Sequence, residues 1–135
     1  MTHEIILDTE TTGLDYTTGD CLIEIGAVEM VNRIRTGRVF HTYLKPTKPV
    51  SEGAYRVHGI ATDFLQDKPT LAEILPDFLA FVQDDSQLVI HNASFDIGFL
   101  NNELSLLGSP PFLPHRIIDT LEMARRKYPG SPASL

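Results

Sequence analysis

The chain has 135 residues, 42% hydrophobic and 21% charged, which fits one globular domain burying about two-thirds of its unfolded surface. A net charge of -7 excludes a nucleic-acid clamp built from basic side chains, but not an enzyme that meets phosphate through divalent cations. The single cysteine, Cys21, excludes an internal disulfide. No apolar stretch approaches the ~20 residues of a membrane span, and Met1 to Glu4 lacks a signal core, so the chain reads as cytoplasmic with no membrane partner.

In chain order, the apolar run Ile5-Ile6-Leu7 predicts a short buried strand over Glu4 to Leu7, followed by a Thr-, Gly- and Asp-rich loop from Thr11 to Asp20. A second strand is expected from Leu22 to Val31, where Ile23, Ile25 and Ala27 alternate with Glu24, Gly26 and Val28. The polar stretch Asn32 to Arg38 reads as a hairpin connection, and Val39 to Leu44 as a third strand. Pro46 and Pro49 mark Lys45 to Gly53 as loop.

From Leu71 to Val82 the period lengthens to three and four, predicting a helix capped by Thr70 and Glu73, with Pro76 able to kink it. Leu88 to Ile90 reads as a strand, Ser94 to Leu107 as a helix ended by Gly108, and Ile117-Ile118 as a brief strand. Asp119 then caps a helix of Thr120 to Tyr128 that Pro129-Gly130 stops. Three strands joined by short turns, followed by alternating helices and strands, imply a mixed α/β sheet.

Chemistry concentrates in Asp8-Thr9-Glu10-Thr11-Thr12-Gly13, at the end of the first strand. Residues two apart on a strand share a face, so Asp8 and Glu10 lie side by side. Two like charges about 4 Å apart repel by roughly 4 kcal/mol at an effective dielectric of 20, which a shared cation or protonation of one acid relieves. As ordinary turn formers, the same residues could equally be a solvated strand-to-turn junction. A third acid, Asp96, stands in His91-Asn92-Ala93-Ser94-Phe95-Asp96, in the first turn of the helix after a buried strand. If that strand runs parallel to the first, both carboxyl ends open on one crevice, where α/β sheets bind ligands.

These segments, with Ile23-Glu24-Ile25-Gly26-Ala27-Val28 and Val57-His58-Gly59-Ile60 in the same order, resemble the DEDD superfamily of 3′–5′ exonucleases. The likeness is to its DnaQ-like group of the histidine subtype, and within that to the proofreading subunits of bacterial replicative DNA polymerases. The resemblance implies an RNase H-like fold: a mixed five-stranded sheet, three antiparallel strands then two parallel to the first, with flanking helices. It implies that Asp8 bridges two Mg²⁺ or Mn²⁺ ions, that Glu10 ligates one, and that Asp96 completes the shell. Thr11, Val57 and His58 would contact the terminal nucleotide, and Phe95 would wedge its base or simply serve the core. The implied partners are a single-stranded DNA 3′ end and the catalytic subunit of a replicative polymerase. The family often has a polar side chain where this chain has Gly53, so no contact is expected there.

The histidine subtype also carries, on a later helix, a general-base histidine and a fourth aspartate, and neither has a counterpart in this sequence. Ser131-Pro132 reads as the start of a helix, so the domain is expected to be incomplete at its carboxyl end and nearly inactive as it stands. Two alternatives share the motifs: an exoribonuclease of the same superfamily, and a non-catalytic module that docks a polymerase.

Overall fold

The computed structural model describes residues 2–83 and 85–127, built around a five-stranded sheet with strand order β3-β2-β1-β4-β5. β1 (His3–Thr11) pairs antiparallel with β2 (Leu22–Val31), and β2 pairs antiparallel with β3 (Ile34–Tyr43). β4 (Gln87–Ile90) lies parallel to β1, and β5 (Ile117–Asp119) parallel to β4. The carboxyl ends of β1, β4 and β5 therefore open on the same end of the sheet. The expected antiparallel meander with two later parallel strands is the observed topology.

Alternation along the strands decides which face is covered. Ile5 and Leu7 of β1, Ile25 and Ala27 of β2, and Leu88 and Ile90 of β4 are buried in one cluster. Phe78 and Val82 of α2 (Leu71–Val82) complete that cluster, together with Phe99, Leu100 and Leu104 of α3 (Ala93–Leu106). The intervening β1 residues turn to the other face, where Ile6 and Asp8 are exposed. Thr70 and Glu73 form the capping box expected for α2, and Pro76 lies within that helix.

Three boundaries differ from expectation. β1 continues through the acidic motif to Thr11, because β-branched Thr9 and Thr11 bury on the core side and pairing with β2 runs on to Thr11, with a register shift between Glu10 and Thr11. β3 starts at Ile34, since Asn32 (φ 50°) and Arg33 (φ 64°) alone make the hairpin turn and the polar residues beyond them are strand. A short helix, α1 (Glu52–His58), occupies part of the span read as loop and motif; Ser51 caps it, and Gly59 ends it at φ 72°. The last helix, α4 (Thr120–Lys127), starts as expected, with Asp119 Oδ1 accepting from the Leu121 and Glu122 N–H groups. Tyr128 and the Ser131-Pro132 helix start lie outside the described residues. No helix among the described residues is long and apolar enough to cross a membrane.

Candidate active site

The acidic end of β1 sits at the edge where the sheet meets the start of α3. Asp8 is exposed and Glu10 half-buried, two apart on the face that turns away from the core. Glu10 stands directly opposite Glu24 of β2, and like charges paired across strands are unfavourable. Burial holds the Glu10 carboxyl above its ordinary range, and the charges of Asp8 and Glu24 add to that shift. Glu24 in turn has His41 Nε2 2.6 Å from its carboxylate.

Asp96 arrives from the other side of the strand. The first turn of α3 buries it beneath β1, where its Oδ1 accepts a hydrogen bond from the Thr9 hydroxyl. Its pKa is pushed up to about 6, first by burial and then by the charges of Asp8, Glu10 and Asp119, against the opposing Thr9 bond. Asp96 is thus close enough to feel both β1 acids, and Thr9 is the direct link between the two elements. Among the described residues, no three His, Cys, Asp or Glu side chains are drawn together as a ready-made metal cage. The donor set nonetheless fits a hard divalent ion in kind: among the described residues no lysine or arginine bonds to the carboxylates of Asp8, Glu10 or Asp96, and two of them are open to water. An ion held here would keep much of its water.

Beside the acids lies a cavity of about 360 Å³ whose wall includes Thr9, Glu10, Thr11, Val57, His58 and Phe95. Every nucleotide-contact residue expected from the motifs borders it. Thr11 is buried and donates its hydroxyl to the Gly13 carbonyl at 2.6 Å, shaping the turn rather than pointing a free hydroxyl into the space. Val57 is 83% exposed, an apolar side chain at the mouth with nothing covering it. Phe95 packs on Phe99 with ring centroids 5.0 Å apart and also lines the cavity. Gly53 is in the wall too, with nothing within 4 Å of where a Cβ would stand.

Asp119 is the residue that the sequence reading placed only in a cap. It ends β5 as Asp8 lies near the end of β1, so the parallel ladder carries its charge to the same sheet end as Asp96. Its Oδ1 also accepts from the Asn92 N–H at 3.1 Å, tying down the left-handed residue (φ 62°) from which α3 springs. His91 reinforces that junction, with Nδ1 2.9 Å from the Thr120 hydroxyl. The available signal was its position: an acid at the carboxyl end of a parallel strand is a site candidate before it is a cap.

The curated relatives include DNA polymerase III subunit epsilon of Rickettsia felis, 54% identical over 136 residues, an alignment covering 98% of this chain and 59% of that protein. Among solved structures, exonuclease X in complex with 5′ overhanging duplex DNA superposes with a TM-score of 0.73 at 28% identity, covering 96% of this chain and 67% of that one. The metal-free Escherichia coli exonuclease I complex with single-stranded DNA reaches a TM-score of 0.83 at 19% identity, covering 95% of this chain and 30% of that one, and shows the shared fold. The chain spans between 55% and 59% of the length of the curated relatives it matches. Because the exonuclease (RNase_T) family model matches residues 5–135, with the acidic strand and the Asp96 helix both inside the match, the chain belongs to that family.

Proposed function

We propose that this chain carries the carboxylate site of a metal-dependent 3′–5′ exonuclease that removes nucleotides from single-stranded or frayed DNA 3′ ends, proofreading for a replicative DNA polymerase in the cytoplasm. The reading rests on one observation: Asp96 lies near enough to Asp8 and Glu10 for their charges to add to the burial that pushes its pKa up to about 6, while Glu10 lines a cavity of about 360 Å³. The relatives named DNA polymerase III subunit epsilon, and the DNA-bound exonuclease X structure, support the substrate class.

In this reading Asp8 and Glu10 hold Mg²⁺ or Mn²⁺, and Asp96, anchored by Thr9, completes the shell through water. When bound, such ions activate the attacking water and neutralise charge on the leaving 3′ oxygen. The chain's own part is to orient the end of the strand. The backbone around Thr11 holds the terminal sugar, the uncovered Val57 lies along it, and Phe95 offers an aromatic face to the base. A cavity of about 360 Å³ admits one nucleotide, near the lower bound for small-molecule sites. A duplex end must therefore unpair before its last nucleotide enters, and mispaired ends do so at least cost. The -7 net charge is consistent with this division of labour, in which cations rather than basic side chains meet the phosphate.

The test is hydrolysis of a thymidine 5′-monophosphate aryl ester and of 3′-labelled oligonucleotides, with Mn²⁺, by the polypeptide at the full length of its relatives. Release of mononucleotides from the 3′ end, faster from mispaired than from paired termini, is expected. Equal rates on RNA and DNA dinucleotides would overturn the DNA assignment, and cleavage unaffected by chelators would overturn the metal assignment.

A further inference from the structure

We propose that His58 is a positioning residue: a neutral ring, protonated at Nε2, that fastens the end of β1 to the end of α1 and so fixes the cavity wall. The inference rests on the nucleotide-binding reading for what the cavity holds, but its bonding pattern stands apart from any ligand. The Ile60 N–H donates to His58 Nδ1 at 3.0 Å. An amide N–H can only donate, so Nδ1 must present its lone pair. His58 Nε2 lies 3.0 Å from the Thr11 carbonyl oxygen, which can only accept, so Nε2 must carry the hydrogen. The two partners select one tautomer between them.

With both nitrogens engaged, the ring has no lone pair left to take a proton from water. That removes His58 from the general-base role even though it borders the cavity beside Glu10. What the ring does instead follows from how α1 is held. This helix has seven residues, none of them buried, and a helix so short does not stand on its own propensity. Both of its ends hang on consecutive carbonyls of β1 and the turn after it. At its start, the N–H of the capping Ser51 donates to the Thr12 carbonyl at 2.8 Å; at its last residue, His58 donates to the Thr11 carbonyl. Just past the helix, Ile60 is buried with Ile23 and Leu65, and its N–H sets the angle of the ring. Val57 and Gly53 reach the cavity only because both ends of α1 are pinned. The Nε2 bond spans 47 residues and is the pin nearest Val57.

Two substitutions separate the two bonds. His58→Gln can place an amide N–H where Nε2 stood and retain the Thr11 bond, whereas His58→Asn places an oxygen where Nδ1 stood and retains only the bond from Ile60. Long-range ¹⁵N–¹H correlation spectra of the chain, free of metal and nucleotide, are expected to show Nε2 protonated and Nδ1 bare. Thymidine 5′-monophosphate titrated with Mn²⁺ is expected to bind roughly 5–10-fold more weakly to His58→Asn, the scale of one lost hydrogen bond, and within about 3-fold of the parent to His58→Gln. In the full-length polypeptide the Asn variant's loss falls on KM rather than kcat, and amide exchange across α1 speeds up. A ring protonated on Nδ1, equal losses in the two variants, or a loss confined to kcat would overturn the proposal. If the parent binds no nucleotide at all, the functional reading falls, and the ring spectrum with α1 exchange still decides the clamp.

Discussion

Two groups of carboxylates in this molecule meet opposite fates. Near the amino end of β1, Glu29 of β2 is buried at 5% exposure and accepts from Thr36 Oγ1 (2.8 Å) and Arg38 Nη1 (2.8 Å), with His3 Nε2 2.9 Å away. Those bonds, the Thr36 hydroxyl first, hold its carboxyl below the ordinary range. At the other end of the same strand pair, Glu10 and Asp96 are both pushed upward, and the donor aimed at Asp96 is one hydroxyl, that of Thr9. The chain can therefore satisfy a buried acid completely when it serves the fold. Leaving a second group in mutual repulsion costs stability, and a protein keeps such a cost where a ligand relieves it.

Substitutions sharpen this contrast, the most severe on activity first. Asp8→Asn in the full-length polypeptide is expected to lower the hydrolysis rate by at least ~10²-fold, the scale of losing a catalytic group, while leaving the melting temperature unchanged or higher. Parallel rate and thermal-melting measurements check the opposite signs. Glu29→Ala should do the reverse: it removes the acceptor shared by the exposed Thr36 and Arg38 and the largely buried His3 ring and costs about 1–2 kcal/mol, read by urea denaturation, with little change in rate per folded molecule.

Gly13→Ala probes the turn between the acids and the cavity. A Cβ there would lie within 2.7 Å of both Asp20 carboxylate oxygens, one of which accepts from Thr12 Oγ1. The expected cost is about 1–3 kcal/mol, with amide shifts in the NMR spectrum spreading through Thr11 to Asp20.

The smallest effect belongs to Glu103 of α3, which has no cation beside it among the described residues and accepts the Leu22 N–H at 2.8 Å. Burial pushes its pKa up to about 7 from 4.5. A folded-state value above the unfolded one means the fold prefers the protonated acid. Its contribution is complete below about 4.5 and is lost as pH rises through about 7. Glu103→Gln keeps an acceptor for Leu22 and is expected to raise the melting temperature at pH 8 and flatten its decline between pH 5 and 8, as thermal melts across that range would show.

Much of the fold is written in periodicity. β2 alternates from Ile23 to Val28 within Leu22–Val31, α2 has a 3–4 spacing with a capping box over Leu71–Val82, and both appear with the expected bounds. α1 has no buried residue and therefore no period to read. β3 was foreshortened because its first half, including Ile34 at 70% exposure, lies on the open edge of the sheet, where no face is buried to impose alternation. At the site, the acids and the cavity residues were legible as an ordered set of motifs. What pins them together was not. The Thr9–Asp96 bond spans 87 residues, the His58–Thr11 bond 47 and the Asp119–Asn92 bond 27, and local pattern has no means of showing such contacts.

The account turns on whether the crowded acids bind a divalent ion. Isothermal calorimetry of Mn²⁺ into the 135-residue chain, and into its Asp8→Asn variant, asks that directly. Saturable binding by the parent that disappears in the variant is the predicted result. Absence of binding in the parent, or the same isotherm from both proteins, would contradict it.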